Sequence, residues 1–204
     1  FCLASFSLAF SQFSFNAGTG YVSAFGSDAP GGLFGFHLGA EVPRNNDVTF
    51  YGRVNHYLAR RETTSGTSYA TAIDLMTSPY NLLINYTSST SLTSVEGGTR
   101  YYLGNGFDNG LSVYGGSNMA ILFYGVKRNY DEFDQSLYVL PIDEDPKGTI
   151  LSLSIGLQGG VKYTIPAVGT VYFDITGSYA ILAQANNYTA SESSFYSPLL
   201  FGFN

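Results

Sequence analysis

From Phe13 onward, apolar and polar residues alternate along the chain with a period of two. The clearest stretch, residues 151–163, reads LSLSIGLQGGVKY, and its apolar side chains occupy odd-numbered positions. This period is typical of β-strands whose two faces meet different surroundings. We find no convincing helical period and count eight alternating segments, at residues 13–21, 34–42, 50–58, 94–103, 111–123, 151–163, 171–181 and 195–203. Segments of about ten residues have the length of tilted strands that cross a bilayer.

The connections between these segments differ in length. Residues 43–47, 104–110 and 165–170 form short, turn-like links, whereas residues 60–90, 126–148 and 182–193 form long polar ones, and 26–32 is intermediate. Short turns at one end and long loops at the other are typical of an up-and-down barrel in an outer membrane. The pattern therefore predicts one eight-stranded antiparallel transmembrane β-barrel, with periplasmic turns and termini and extracellular loops.

The composition bears on which face points outward. Only 12% of the 204 residues are charged, about half the ~25% of typical soluble domains. The face opposite the apolar one carries mainly Gly, Ser, Asn and Thr, which suit a narrow packed lumen better than a watery exterior. These features favour lipid contact for the apolar face. A soluble lipocalin-like barrel, with its apolar face turned inward around a ligand, is the alternative.

Aromatic residues recur near both ends of the segments, as in the two interfacial belts of membrane barrels. The belt at the short-turn end is predicted to contain Phe15, Phe50, Tyr101, Tyr163, Phe173 and Phe203. The belt at the long-loop end is predicted to contain Tyr21, Phe34, Phe123, Tyr179 and Phe195. Filling of strands by β-propensity alone is the competing explanation.

The first eleven residues, FCLASFSLAFS, resemble the end of a secretory signal peptide. Ala9 and Ser11 occupy the −3 and −1 positions of a cleavage site before Gln12. We therefore expect residues 1–11 to be a signal-peptide remnant and residues 12–204 to be the barrel domain; a buried first strand is the alternative. The single cysteine, Cys2, would be removed with the remnant. We also expect the chain to be clipped at its N-terminus and leave open whether its C-terminus is clipped too.

Six charged residues fall on the predicted lumenal face, in equal numbers of acids and bases. They are Glu41, Arg53, Glu96, Arg100, Lys162 and Asp174. In a barrel too narrow for a channel, these side chains are expected to form a paired network that plugs the lumen. No metal or cofactor is predicted. Nucleic acid is excluded as a partner, because the net charge is −6 and the nine Lys and Arg residues are dispersed.

Catalytic candidates are few. His37 falls on the lumenal face and His56 on the lipid face, so the two histidines are not expected to share a site. No G-x-S-x-G or H-E-x-x-H motif is present. We predict a non-enzymatic protein. A barrel-embedded lipid or peptide hydrolase, built on His37 and a lumenal serine, is kept as a further alternative.

Taken together, the alternating strands, the signal-like start, the strand-to-turn segment VEGGTRYYLGNG (95–106) and the final LLFGFN resemble the small outer-membrane β-barrel proteins of Gram-negative bacteria, of the eight-stranded OmpA/OmpX type. The resemblance covers residues 12–204. It implies an outer-membrane location, contact with outer-membrane lipid, insertion by the barrel assembly machinery, and a structural or adhesive role through loops 60–90 and 126–148. The family's C-terminal aromatic residue is not matched, since Asn204 is last.

Overall fold

The computed structural model describes residues 13–25, 32–107, 110–140, 147–165, 168–186 and 199–204. Its strands are β1 (Ser14–Phe25), β2 (Leu33–Pro43), β3 (Val48–Ala72), β4 (Asn81–Gly104), β5 (Gly110–Tyr130), β6 (Tyr138–Val139), β7 (Lys147–Ile165), β8 (Gly169–Asn186) and β9 (Leu199–Phe203). No helix in these ranges is long and apolar enough to cross a membrane. The predicted signal remnant and its cleavage site lie outside the described residues.

Eight of the nine strands close into a ring in which every neighbour is antiparallel. The order around the ring is β1, β2, β3, β4, β5, β7, β8, β9, and β9 pairs back onto β1. The two-residue strand β6 lies outside the ring and pairs with the end of β3. The ring confirms the predicted eight-stranded up-and-down barrel. Closure pairs both sides of the sheet along most of its length, so that most backbone groups are bonded within the barrel.

The strands are strongly staggered around the ring. A path that steps from each residue to its partner on the next strand runs once around the ring. It starts at Pro43 on β2 and returns to β2 at Leu33, ten residues nearer the long-loop end of the barrel. It passes through Thr49, Arg100, Gly116, Gln158, Thr176, Gly202 and Val22. For eight strands, this stagger corresponds to a strand tilt of about 40° and a backbone radius of about 8 Å. The lumen is therefore wide enough for large side chains but not for an open channel once they are present.

Most apolar side chains of the ring face outward. On β5 the outward side chains are mainly apolar from Leu111 to Phe123, and higher up they become Lys127 and Asn129. On β7 the same change occurs at Thr149. Twelve residues of a strand tilted by about 40° span about 30 Å of barrel height, similar to the apolar band of membrane barrels. We call this belt the apolar band.

One predicted loop is largely strand in the structure, and a second is strand at both its ends. Residues 60–90 were expected to be a polar loop, but β3 continues to Ala72 and β4 begins at Asn81. Within 126–148, β5 continues to Tyr130 and β7 begins at Lys147. The expectation failed because cross-strand hydrogen bonds continue above the apolar band, where Thr, Ser and Tyr provide β-propensity without apolar alternation. We call residues 60–72 and 81–91 the ribbon and residues 73–80 its tip.

Candidate functional site

Five of the six charged residues predicted for the lumen meet in one ion-pair network. Arg53 Nε donates to Glu96 Oε1 at 2.6 Å, and its Nη1 lies 3.3 Å from Asp174 Oδ2. Arg100 Nη1 donates to Glu41 Oε2 at 2.7 Å, and its Nη2 donates to Asp174 Oδ2 at 3.1 Å. Asp174 on β8 therefore joins two arginines that reach it across the lumen from β3 and β4.

Neutral donors complete the hydrogen bonding of the two most buried carboxylates, Glu41 and Asp174. Glu41 also accepts hydrogen bonds from the hydroxyls of Thr49 and Tyr102. Asp174 also accepts from Tyr114 Oη at 3.1 Å and from Asn204 Nδ2 at 3.1 Å. Such additional donors are what a buried charge requires to offset the loss of its hydration.

Tyrosine rings enclose the network, a feature that sequence reasoning missed. The Arg100 guanidinium carbon lies 4.4, 4.8 and 5.4 Å from the ring centres of Tyr51, Tyr114 and Tyr172. The sixth predicted residue, Lys162, lies with its Nζ 4.6 Å from the ring centre of Tyr102 and 4.2 Å from that of Phe107. These distances are in the range of cation–π contacts. The alternation of the strands could have predicted this, because the four tyrosines occupy positions of their strands that face the lumen.

Inward glycines make room for these rings. A Cβ placed on Gly98 would lie 3.0 Å from the Tyr51 ring, and one on Gly160 would lie 2.6 Å from the Tyr114 hydroxyl oxygen. A larger residue at either position would also press on the backbone of the next strand, at the carbonyl oxygens of Ser117 and Phe173, and would push on a ring that packs on Arg100. Large and small inward residues on neighbouring strands therefore fill the lumen together.

The upper half of the lumen, toward the ribbon, contains an apolar cluster. Its buried cluster consists of Val22, Leu33, Tyr57, Leu92, Ala120, Leu122, Tyr124, Ile150 and Leu200. We expected a polar lumen throughout; the upper half instead mixes this cluster with buried polar side chains such as Ser94, Ser152 and Thr90. The difference arises because the inner face carries Leu and Ile near the outer end, where the lower half carries Arg and Glu.

The two histidines are separated by the barrel wall. His37 points inward and is partly buried, and its Nδ1 has no hydrogen-bond partner among the described residues. His56 is on the outward face, where its Nδ1 lies 2.9 Å from Thr93 Oγ1. In the described part of the chain, no three His, Cys, Asp or Glu side chains lie together as metal ligands would.

The predicted aromatic belts are only partly placed as expected. Ten of the eleven residues lie in the described ranges and all ten are exposed on the outward face; Phe195 lies outside these ranges. Phe203 is directly opposite Tyr21 and Ile175, so it lies near mid-height and not at the short-turn end. This correction follows from the stagger of the ring, which lifts β9 relative to β3 and β4.

Above the apolar band, the ribbon carries a second small core. Tyr138 of β6 is buried against Ala70, Ala72 and Ile84, and its hydroxyl donates to the Pro79 carbonyl oxygen at 3.0 Å. The loop after β5 therefore folds onto the ribbon and supports it. Beyond this core the tip presents Leu75 and Met76, which are 88% and 93% exposed.

An aspartate caps the turn at the tip, and another caps the turn before β6. Asp74 Oδ1 accepts from the backbone N–H groups of Met76 and Thr77 at 2.9 and 2.7 Å, and these bonds, with one from the Thr77 hydroxyl, lower the pKa of Asp74. Asp134 Oδ1 accepts from the hydroxyl and N–H of Ser136, which lower the pKa of Asp134. The apolar side chains of the tip thus project from an ordered turn.

Comparison with solved structures finds barrels of similar extent. Neisserial surface protein A (NspA) aligns with 94% of this chain and 92% of its own, with 13% identity and a TM-score of 0.45. Ail, the attachment invasion locus protein of Yersinia pestis, aligns with 94% of this chain and 91% of its own, with 13% identity and a TM-score of 0.35. No protein-family model and no curated protein matches the chain. The fold assignment therefore rests on the strand pairing described above.

Proposed function

We propose that this chain is an outer-membrane β-barrel with a closed lumen and that it makes surface contacts through the tip of its ribbon. The observation that carries the membrane assignment is the apolar band on the outside of a barrel with a charged lower lumen. A continuous apolar belt of this size is unfavourable in water and favourable against lipid tails.

The two alternatives from the sequence receive less support. A soluble ligand-binding barrel would place its apolar side chains around the lumen, but Leu38, Ile155 and Leu157 point outward. A hydrolase would need a nucleophile oriented by a base. No lumenal serine among the described residues is hydrogen-bonded to His37 Nδ1.

The packing of the lumen favours a structural plug over a pore. Arg53 and Asp174 connect opposite walls in the lower half, and the apolar cluster occupies the upper half. A selective pore would more plausibly keep one sign of charge along a continuous wet path. We therefore expect purified protein in planar bilayers to show no stepwise conductance; regular single-channel steps would contradict the plug.

The ribbon gives the barrel its surface for recognition. About 35 Å of strand, from Leu92 to Asn81, continues beyond the apolar band. Because the turn at the tip is already ordered, its backbone loses little conformational freedom when the apolar side chains it carries contact a partner. The barrel assembly machinery would act only during insertion, and the outer partner would bind the tip.

Membrane placement is tested with single nitroxide labels on the refolded protein in vesicles. A label at Ile155 should be relaxed by dissolved oxygen, which concentrates in the bilayer, and protected from a water-soluble nickel chelate. A label at Ser154, the inward neighbour, is the matched control and should be protected from both reagents. If the Ser154 label responded more strongly to oxygen than the Ile155 label, the apolar band would not face lipid.

The surface role is tested by adhesion of protein-producing bacteria to untreated polystyrene plates, whose apolar surface matches the apolar tip. The double change Leu75→Ser and Met76→Ser should lower adhesion severalfold without changing the amount of folded barrel in the outer membrane. Leu83→Ser removes an exposed leucine from the side of the ribbon and serves as the control. Equal adhesion by the tip variant and the control would reject the tip as the contact surface.

A further inference from the structure

Five of the chain's nine Lys and Arg residues lie near the outer end of the apolar band, on neighbouring strands. They are Arg60, Arg61, Lys127, Arg128 and Lys147. The paired segments of this region, residues 58–61, 87–93, 123–129 and 147–151, contain none of the 15 Asp and Glu residues. In a chain with a net charge of −6, this local excess of positive charge favours an anion as the ligand.

Three of these bases form one row across the outer face of the sheet. Arg61 is directly opposite Ser89, and Ser89 is opposite Lys127. Lys127 is in turn opposite Lys147, and all three bases are exposed. Side chains directly opposite on neighbouring strands have Cβ atoms about 5 Å apart, and like charges in these positions destabilise the pair. A bound anion would offset the repulsion between Lys127 and Lys147. We call Arg61, Lys127 and Lys147 the cationic row.

The cationic row lies just beyond the apolar band. Lys127 is four residues further out than Phe123 on β5, and Lys147 is four residues further out than Leu151 on β7. Four residues of a strand tilted by about 40° rise about 10 Å. Lysine stems bend along an apolar wall while their ammonium groups stay in polar surroundings. The charges can therefore reach the level at which lipid headgroups join their acyl chains.

Small outward residues separate the cationic row from the apolar band. Ser91 is directly opposite Gly125, and Gly125 is opposite Thr149. A Cβ on Gly125 would lie 2.9 Å from Ser91 Oγ, so a larger residue would have to move that hydroxyl. The wall is therefore recessed between Lys127 and Phe123. The recess leaves room for the polar linkage between a phosphate group and its acyl chains.

We propose that the cationic row binds the phosphate group of an anionic lipid in the outer leaflet, whose acyl chains lie on Phe123 and Leu151. Two ammonium groups and one guanidinium supply the charge and the hydrogen-bond donors that phosphate oxygens accept. Contact of the acyl chains with the wall adds apolar burial that a soluble phosphate lacks. This site rests on the proposed membrane placement, because a bilayer brings the headgroup to this level.

Binding is measured by NMR on the refolded protein in octyl glucoside micelles, which carry neither charge nor phosphate. Titration with dihexanoyl phosphatidic acid should shift the amides of Gly125, Lys127 and Lys147, with saturation at one lipid per barrel. The amide of Arg44, an exposed base in the turn after β2, should not shift. Absence of saturable shifts at the two lysines would overturn the proposal.

Two further ligands separate the lipid headgroup from its parts. Glycerol 3-phosphate carries the phosphate without acyl chains and should bind at least tenfold more weakly. Dihexanoyl phosphatidylcholine carries the same chains with a compensated charge and should also bind at least tenfold more weakly. Equal affinity for glycerol 3-phosphate would assign the row to soluble phosphates, and equal affinity for phosphatidylcholine would show apolar adsorption. Either result would overturn the proposal.

A matched pair of variants tests the residues. Lys127→Gln should weaken binding of phosphatidic acid about fivefold, since one base near an anionic headgroup is lost. Arg44→Gln removes the same charge from the opposite end of the barrel and should leave the affinity unchanged. If the two variants weakened binding equally, net charge alone would explain the effect and the row would not be a site.

The stability of the same variant gives a second readout. Without anionic lipid, Lys127→Gln should raise the urea midpoint in octyl glucoside, because it removes the repulsion with Lys147. With saturating phosphatidic acid the native chain should be the more stable, because it binds the lipid more tightly. An unchanged order of stability would contradict the proposal. The nitroxide labels at Ile155 and Ser154 test the membrane placement separately, so failure of lipid binding with correctly placed labels overturns this proposal alone.

Discussion

The ion pair between Arg100 and Glu41 provides the sharpest test of how the lumen is stabilised. Glu41 is fully buried, and Arg100 is nearly so. We expect Arg100→Met, which keeps much of the side-chain volume, to leave two carboxylates with fewer donors. Glu41 would retain Thr49 and Tyr102, and Asp174 would retain three other donors, so the barrel should still fold.

The magnitude follows from the 2.7 Å separation of Arg100 Nη1 and Glu41 Oε2. At an effective dielectric constant near 20, this contact contributes about 6 kcal/mol of gross Coulomb attraction. Desolvation of the two ions offsets several kcal/mol of that attraction. Removing one partner from a buried pair typically destabilises a protein by about 3–5 kcal/mol, and we expect Arg100→Met to fall in this range.

The pair is isolated by a double-mutant cycle. Glu41→Gln alone should cost about 3 kcal/mol, because the neutral amide leaves the Arg100 charge less compensated. The double variant should cost less than the sum of the single variants by about 2 kcal/mol. Arg61→Met is the matched control: it removes an exposed arginine of the ribbon and should cost under about 0.5 kcal/mol.

The assay is equilibrium urea unfolding in lipid vesicles, followed by far-ultraviolet circular dichroism and by the mobility of unheated samples in gels. The chain has no tryptophan, so emission from its 17 tyrosines is a weaker probe. If the effects of the two single changes were additive, or if Arg100→Met cost no more than Arg61→Met, the buried pair of Arg100 and Glu41 would not stabilise the barrel.

Three further predictions concern the wall, the tip and the loop after β5. Ile155 points outward near mid-height, so Ile155→Arg should lower the free energy of unfolding in vesicles by about 2–4 kcal/mol. Gln158 points inward, so the cost of Gln158→Arg should depend on the space in the lumen. Unfolding midpoints that show no penalty for Ile155→Arg would place Ile155 off the lipid face. Because hydrogen bonds lower the pKa of Asp74 in the folded protein, the carboxylate should order the tip fully above the ordinary Asp pKa near 3.8 and lose this effect as the pH falls through its lower folded pKa. The NMR shift of the Thr77 amide should follow this loss in the native chain but not in Asp74→Asn. An identical titration in both chains would count against the role of Asp74 in the turn. Deleting residues 129–146 should leave a heat-modifiable barrel with reduced surface binding. Amide exchange in the ribbon should become faster, because the contacts of Tyr138 with the ribbon are lost. Failure of the variant to reach the outer membrane would instead show that the loop is needed for folding.

Much of the candidate site was accessible from strand phase. The period of two places Glu41, Arg53, Glu96, Arg100 and Asp174 on one face, and closure of the sheet turns that face inward. The tyrosines that pack on Arg100 share the same phase, yet their role was missed, because phase gives a direction and not a neighbour. The ribbon was missed for a different reason: its alternation is carried by Ser, Thr and Tyr, so it lacks the apolar signal of the band.

The sequence by itself determined the strand count, the inward and outward faces, and the end of the barrel that carries short turns, because a period of two and turn residues are local properties of the chain. Only the tertiary structure decided the ten-residue stagger. A shift of two residues between neighbouring strands preserves every face, so alternation alone cannot select the register. That register brings Asp174 within reach of both Arg53 and Arg100 and lifts Phe203 to mid-height, since each depends on which residues of distant strands share a level.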